Sequence, residues 1–363
     1  MSQGNQGLAT SIAVTSMGIC TPLGLSAAAT HAALRARLVS FWLTSSQGNS
    51  TDPIRVSSLT LLQEDLPRFE RMAAMSDWAL EDLKLPVSLG GGTRTALALV
   101  LPEGRDGPGV QVEEFVARWL NELRKRLPAA RGPVRVFQQG RSGFFFAMEH
   151  AASLLSRREC QEVIIGAVDS LCAPEMLRHL QREGRVLRPD GNDTIPGEGA
   201  AVVLLERRPS REEKASEVLG WVRGAVTAQE PHYFLQEAPN SGQALSSVFR
   251  QLRERCPERA ELLYTCETGE TFWVAELSMA YLRNIPLMPE PFVRTLAASS
   301  FGDLGAAAGG VMLGMGLLSL ARLRHPAPGA PPHLLVYGSA DHGQVGGCLM
   351  QAGPMSRRFT ELS

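Results

Sequence analysis

The stretch VRVFQQGRSGFFFAMEH, Val134–His150, has the pattern of a strand that turns sharply into an apolar helix. Many enzymes place a nucleophile at such an elbow, because the residue there is exposed and the first N–H groups of the helix stabilise negative charge. The apex is Gly140, between Gln139 and Arg141. Since glycine has no side chain, the pattern predicts a nucleophile site without a nucleophile.

Cys266 is the strongest candidate for a replacement nucleophile, because it follows an apolar strand in YTCETGET. A buried cysteine is more often a small apolar core residue, and the neighbouring Glu267 would raise the pKa of the thiol. Asp341 and His342, in the turn GSADHGQVGG, are a second candidate, a carboxylate–imidazole pair that Asp303 could join for proton transfer. A histidine in a glycine-rich turn is more often a solvated loop residue, so both interpretations stay open.

Three consecutive aromatic residues open the helix after the elbow: Phe144, Phe145 and Phe146. A helix cannot bury three successive side chains on one face. We therefore expect at least one of them to face a substrate tunnel or a partner subunit. Plain core packing is the simpler interpretation, and a blocked tunnel is the other.

Strand-like and helix-like segments alternate along the chain, which predicts an α/β fold. A charged stretch without apolar periodicity, Arg207–Glu217, interrupts the alternation. We predict two similar halves, residues 10–207 and 218–352, packed as one integrated fold. The uncharged, glycine-rich segment Leu304–Ala321 is about long enough to span a membrane, but we expect a helix buried within the protein.

Charge and cysteine usage exclude several functions. Lys and Arg number 36 against 37 Asp and Glu, so no electrostatic footprint for nucleic acid or an anionic membrane exists. The six cysteines are scattered, without metal-ligand spacing, and we expect neither a metal nor a cofactor. The first residues lack the basic and apolar regions of a signal peptide, so we expect a cytoplasmic protein with reduced thiols.

Five stretches, in order, resemble motifs of the thiolase-fold β-ketoacyl synthases. Their order and spacing are maintained over about Ile12 to Gln351, and they are IAVTSMGICTPLG, GRSGFFFAMEHAASLLSRRECQEVIIGAVDS, LRPDGNDTIPGEGAAVVLLE, YTCETGET and SSFGDLGAAAGG. The resemblance implies a thiolase-like five-layered αβαβα sandwich with two pseudo-symmetric halves. It also implies a dimer, formed where the strand before the elbow, here Arg135, Val136, Phe137, Gln138 and Gln139, pairs with its twin.

The resemblance also implies which residues would be catalytic. Family members use an elbow cysteine, two histidines and a lysine, and these positions correspond here to Gly140, Cys266, Asp303 and Ala298. All four are altered. Covalent catalysis needs an activated nucleophile, and a carboxylate at position 303 disfavours the anion that condensation forms. The altered set therefore predicts that β-ketoacyl condensation is lost.

We therefore predict a catalytically inactive, β-ketoacyl synthase-like binding or interaction subunit. It resembles a chain-length factor that pairs with a ketosynthase and meets an acyl carrier protein. An accessory protein of a bacterial operon, such as a secretion or effector locus, is a second form of this hypothesis. The alternative is an acyltransferase or hydrolase that uses Cys266 or Asp303. Acyl binding near Phe144, Phe145 and Phe146, or near Asp341 and His342, is compatible with each.

Overall fold

The computed structural model describes residues 10–44, 53–84, 95–104, 108–128, 130–188, 191–209, 218–234, 236, 238–296, 298–323 and 331–354. The strands are β1 (Thr10–Cys20), β2 (Trp42–Leu43), β3 (Arg55–Val56), β4 (Thr95–Val100), β5 (Val134–Phe137), β6 (Glu162–Ser170), β7 (Glu198–Pro209), β8 (Gly220–Gln229), β9 (Leu262–Thr265), β10 (Arg294–Leu296), β11 (His333–Ser339) and β12 (Gln344–Ala352). The helices are α1 (Ala27–Arg35), α2 (Arg68–Asp82), α3 (Val112–Arg126), α4 (Gly143–Ser156), α5 (Pro174–Arg182), α6 (Gln243–Arg255), α7 (Thr271–Arg283), α8 (Ala298–Phe301) and α9 (Ala308–Leu320).

Two five-stranded units with the same topology form the central sheet. The first has the order β1-β7-β6-β4-β5 and the second has the order β8-β12-β11-β9-β10. In each unit the first three strands are antiparallel and the last three are parallel. Antiparallel pairing of β1 with β8 joins the units. The expected pseudo-symmetry is therefore present in the strand order itself.

The helices lie in three layers around these units, which confirms the expected αβαβα sandwich. Helix α4 contacts β4 and β6 of the first unit and β8 and β12 of the second, and α9 likewise contacts strands of both. These two helices form the middle layer. Helices α2 and α3 cover the outer face of the first unit, while α6 and α7 cover the second.

Strand β4 shows how the sequence fixes these layers. Ala96, Ala98 and Val100 belong to the core around α4 and α9, whereas Leu97 and Leu99 belong to the core under α2 and α3. Successive side chains of a strand point to opposite faces, so a strand covered on both sides is apolar throughout.

Helix α9 fulfils the expectation for Leu304–Ala321, since nearly all of its residues are buried. Glycines let it approach its neighbours: a Cβ on Gly310 would lie 2.8 Å from Ala201 Cβ, and one on Gly314 would lie 2.4 Å from Ile19 Cδ1. The segment begins as a 3-10 turn at Gly305–Ala307. Among the described helices, none combines the length and hydropathy that crossing a membrane requires.

Two expected boundaries differ from the structure. The strand before the elbow ends at Phe137, so Gln138 and Gln139 belong to the connection that follows. Strand β7 continues to Pro209, two residues into the predicted division, and residues 210–217 lie outside the described residues. The division into residues 10–207 and 218–352 stays a prediction.

Candidate functional site

The elbow is built by a backbone that suits glycine. Gly140 has a φ of +49°, in the left-handed region, and begins the 3-10 turn Gly140–Ser142 that leads into α4. The Ser142 hydroxyl donates to the Gln139 carbonyl at 2.8 Å, which closes the turn. The sequence therefore forms a sharp elbow with no side chain at its apex.

Glu103, from the connection after β4, occupies the space above the apex. A Cβ placed on Gly140 would lie 2.5 Å from Glu103 Oε1 and 3.1 Å from its Cδ. The other carboxylate oxygen of Glu103 lies 2.5 Å from His342 Nδ1. Burial raises the pKa of Glu103 although the hydrogen bond with His342 lowers it. A carboxyl group that contacts an imidazole therefore lies directly beside the backbone of the apex.

The carboxylate that the structure places against His342 is that of Glu103. His342 contacts Glu103, and both aspartates instead bind Arg141, the residue after the apex. Arg141 Nη1 donates to Asp303 Oδ2 at 3.0 Å, and Nη2 donates to Asp341 Oδ1. Adjacent residues of a turn point in different directions, so Asp341 reaches inward and His342 reaches toward Glu103.

Arg141 is almost fully enclosed, with a side-chain exposure of 6%. Its Nε donates to the Ser339 carbonyl at 3.1 Å, so every nitrogen of the guanidinium has an acceptor. Burial alone would lower the pKa of Arg141, but Asp341, Asp303 and Glu270 raise it above its usual value. The Arg141 guanidinium is therefore permanently charged, and the carboxylates of Asp303 and Asp341 bind it.

A second arginine completes the cluster. Arg185 donates from Nε and Nη2 to the two oxygens of Glu270 at 2.8 and 3.1 Å, and from Nη1 to Asp341 Oδ2 at 2.6 Å. Asp341 thus bridges two guanidiniums. Burial alone would raise the pKa of Asp341, but Arg141 and Arg185 hold it well below its usual value.

Aromatic rings support the two arginines from one side. The guanidinium carbon of Arg141 lies 4.6 Å from the Trp273 ring centroid, and that of Arg185 lies 4.7 Å from the Phe234 ring centroid. The two rings are stacked at 5.2 Å, and Trp273 Nε1 donates to Glu270 Oε2 at 2.8 Å. Bidentate pairing and stacking fix the planar guanidiniums in one orientation.

Cys266 and Asp303 are both buried. The Cys266 side chain is buried, and burial raises the pKa of its thiol far above the usual range, although Arg141 acts in the opposite direction. Asp303 Oδ2 accepts a hydrogen bond from Arg141 Nη1 at 3.0 Å, and Asp303 Oδ1 accepts one from the Gly305 N–H at 2.9 Å. Burial also raises the pKa of Asp303 despite Arg141. Ala298, at the start of α8, adds no charge.

A cavity of about 70 Å³ remains beside the elbow, lined by Glu103, Gly140, Arg141, Asp303 and Asp341 among others. That volume holds a few water molecules. It is far below the roughly 300 Å³ at which ligand pockets begin. Its wall combines these charged side chains with apolar ones such as Leu171 and Met176.

Comparison with known proteins agrees with this fold. A family model described as "Beta-ketoacyl synthase, N-terminal domain" matches residues 130–210, which contain the elbow. The ketosynthase domain OzmH KS7 of Streptomyces albus JA3453 superimposes with a TM-score of 0.75 at 16% identity, covering 95% of this chain and 75% of that chain. The ishigamide ketosynthase/chain length factor gives a TM-score of 0.69 at 16% identity, covering 94% and 99%. The chain has the thiolase fold of these ketosynthases, and its residues 130–210 are similar to the N-terminal domain of β-ketoacyl synthases.

Curated relatives of this ketosynthase-like chain are large synthases. The 6-methylsalicylic acid synthase of Aspergillus terreus is 25% identical over 199 residues, 49% of this chain and 11% of the relative. The spectinabilin polyketide synthase system protein NorC of Streptomyces orinoci is 30% identical over 135 residues, 35% of this chain and 6% of the relative. The chain thus spans a small part of the length of each.

The aromatic run does not open toward the elbow cavity. Phe144 and Phe145 are fully buried with their rings 6.0 Å apart, and Phe146 is half-buried against the same core. Phe144 packs against Gly309 and Gly310 of α9. The three residues therefore fill the middle layer of the ketosynthase-like fold.

Sequence patterns located part of this site. They indicated Gly140, Asp303 and Asp341, which the structure places around one cavity. Arg141 was noted as the residue that follows the apex. Glu103, Arg185 and Glu270 were not identified, since each lies in a different connecting segment and only the tertiary fold brings them to the elbow. Glu270 alone stood within a matching stretch, YTCETGET, where its acidic character was a usable signal.

Proposed function

We propose that this ketosynthase-like chain is a non-catalytic subunit that binds a partner protein. One observation carries the proposal: the nucleophile position is Gly140, Glu103 fills the space above it, and Arg141 is bound by Asp303 and Asp341. Condensation needs both a nucleophile and groups that stabilise a developing anion. Here carboxylates surround the apex, and the nearest cation already has partners.

The buried ion-pair cluster gives the former catalytic space a structural role. Removing one member of a buried pair costs about 3–5 kcal/mol because the remaining charge is left without a partner. Arg141 and Arg185 join residues from the elbow, from the turn after β11 and from the connection after α5. The cluster therefore ties together segments of both halves around the site.

The free side of β5 is the surface we propose for the partner. Strand β5 is the last strand of its unit and pairs only with β4 within the described part of the chain. The carbonyls of Pro133 and Phe137 accept from Leu97 and Leu101, so these residues face inward. Backbone groups alternate along a strand, so those of Val134 and Val136 face outward and can pair with another chain.

The nature of the partner is supported by two solved structures of the same fold. One is the ishigamide ketosynthase/chain length factor, and another is a type II acyl-carrier protein, AntF, in complex with its ketosynthase, AntDE. By analogy we propose that the partner is a second copy of this chain or an intact ketosynthase, and that an acyl carrier protein contacts the assembly. A partner from a secretion or effector locus would replace this choice if it alone co-purified with the chain.

Acyl transfer tests the proposal directly. Incubated with a radiolabelled acyl-carrier-protein thioester, the wild type should take up no covalent label. The variant Gly140→Cys should not condense malonyl thioester, because its thiol must first displace Glu103 and no histidine assists decarboxylation. The double variant Gly140→Cys/Glu103→Ala is the control. Because Glu103 no longer covers the apex, its new thiol should react faster with a thiol reagent than the thiol of Gly140→Cys alone. Stoichiometric labelling of the wild type that Cys266→Ala abolishes would overturn the proposal.

A further inference from the structure

Three side chains with metal-binding atoms meet at the end of α6, away from the elbow. Cys256, Glu258 and His333 each offer one ligand atom, and these atoms all lie within 4.8 Å of one another. Cys256 Sγ and Glu258 Oε2 are 3.0 Å apart. Cys256 and His333 are buried, whereas Glu258 is exposed. The cluster therefore has a fixed interior and one ligand at the surface.

The backbone around the cluster holds these residues in place. The Cys256 N–H donates to the Leu252 carbonyl at 3.0 Å, which ends α6 at this point. The Glu261 N–H donates to the His333 carbonyl at 2.9 Å, and the His333 N–H donates to Glu261 Oε2. These paired bonds join the loop after α6 to the start of β11. Two ligands from the loop and one from the strand are thus pre-positioned.

We propose that Cys256, Glu258 and His333 form a binding site for a thiophilic divalent cation of the zinc class. Sulfur, imidazole nitrogen and carboxylate oxygen are the ligands that zinc takes in proteins, and sites with three protein ligands leave a fourth position to water. Hard cations such as Mg²⁺ and Ca²⁺ take oxygen ligands instead. Because one thiol and one imidazole are present, the site should select the softer metals.

Bound metal would join α6 to β11 in the second unit. Residue His333 starts β11, and Ser339, whose carbonyl accepts from Arg141, ends it. At about 3.3 Å per residue, roughly 20 Å separates the two ends. The metal site is therefore distinct from the elbow and does not depend on the proposed loss of catalysis.

One nearby positive charge opposes the metal. Burial raises the pKa of the Cys256 thiol, and the nearby Arg223, an exposed residue of β8, acts in the opposite direction. It would repel a divalent cation while it neutralises a thiolate.

Cobalt substitution tests the site with the untagged full chain, stripped of metal by a chelator. Addition of Co²⁺ should produce a thiolate-to-cobalt charge-transfer band, and Zn²⁺ should displace it. Cys256→Ser should abolish the band, whereas Cys160→Ser, which changes another buried cysteine outside the cluster, should keep it. Glu258→Gln changes an exposed side chain and should fold normally, with Zn²⁺ affinity lowered by about 10-fold or more.

The control variants also define failure. No band in the wild type at excess Co²⁺ would overturn the proposal, and so would a band that survives in Cys256→Ser. Equal Zn²⁺ affinity of the wild type and Glu258→Gln would overturn the assignment of the surface ligand. If Cys256→Ser does not fold, the cobalt band and the Zn²⁺ affinity of His333→Gln and Glu258→Gln are compared with those of the wild type instead.

Discussion

Gly140 and Glu103 show which features of the elbow are local and which depend on the tertiary fold. The left-handed φ of Gly140 and the 3-10 turn are local properties, so the sequence around the apex predicts them. The carboxylate above the apex is not local, since Glu103 comes from the connection after β4. The residue at position 140 thus predicts an apex without a side chain, whereas only the fold shows that Glu103 lies against it.

Asp341 gives the ion-pair cluster a defined response to pH. Arg141 and Arg185 hold the pKa of this buried carboxyl well below its usual value, although burial alone would raise it. A depressed folded-state pKa means that the stabilisation is fully present well above the unfolded value of about 3.9 and is lost as the pH falls through and below it.

Asp341→Asn should therefore destabilise the protein at neutral pH and matter less in acid. The loss should be at or below the roughly 3–5 kcal/mol of a broken buried pair, because Arg141 and Arg185 each keep a second carboxylate. Urea unfolding across this pH range measures the difference from the wild type. Asp65→Asn, at an exposed position, is the control. A difference that grows on acidification would contradict the assigned role.

At the scale of elements, strands and helices were predictable where apolar residues alternate or repeat. The run TALALV became a strand buried on both faces, and the small-residue segment around Gly310 became a helix of the middle layer. Boundaries were less predictable. Gln138 and Gln139 continue a strand-forming pattern, but the turn at Gly140 ends the strand at Phe137 because its backbone must reverse direction there.

Gly310→Leu should destabilise the protein because α9 packs against its neighbours at the distance that glycine allows. A Cβ there would already lie 2.8 Å from Ala201 Cβ and 3.2 Å from Phe144 Cε2. Overpacking of this kind costs roughly 1–3 kcal/mol or more. Gly109→Leu makes the same chemical change where no atom lies within 4 Å. Thermal unfolding should separate the two variants, and equal midpoints would contradict the close packing.

At the scale of the whole molecule, the two halves share one strand order although their sequences are only weakly similar. The orders β1-β7-β6-β4-β5 and β8-β12-β11-β9-β10 need only similar periodicity, not similar residues. The same order leaves β5 and β10 at the two ends of the sheet. Strand β10 has three residues, and β5 continues from a rigid Pro133, so β5 is the longer edge for pairing with another chain.

Assembly through β5 can be tested by removing one outward N–H group. Proline is tolerated on edge strands where its nitrogen faces away from the sheet, so Val136→Pro should leave the monomer folded and abolish the pairing. Val136→Ala removes similar packing but keeps the N–H, and it should assemble like the wild type. Sedimentation of each variant, alone and with a candidate ketosynthase, gives the oligomeric state. If the wild type sediments as a monomer in both conditions, or if Val136→Pro assembles as the wild type does, the outward groups of β5 do not bind a partner, and the proposed interface must lie elsewhere on the molecule.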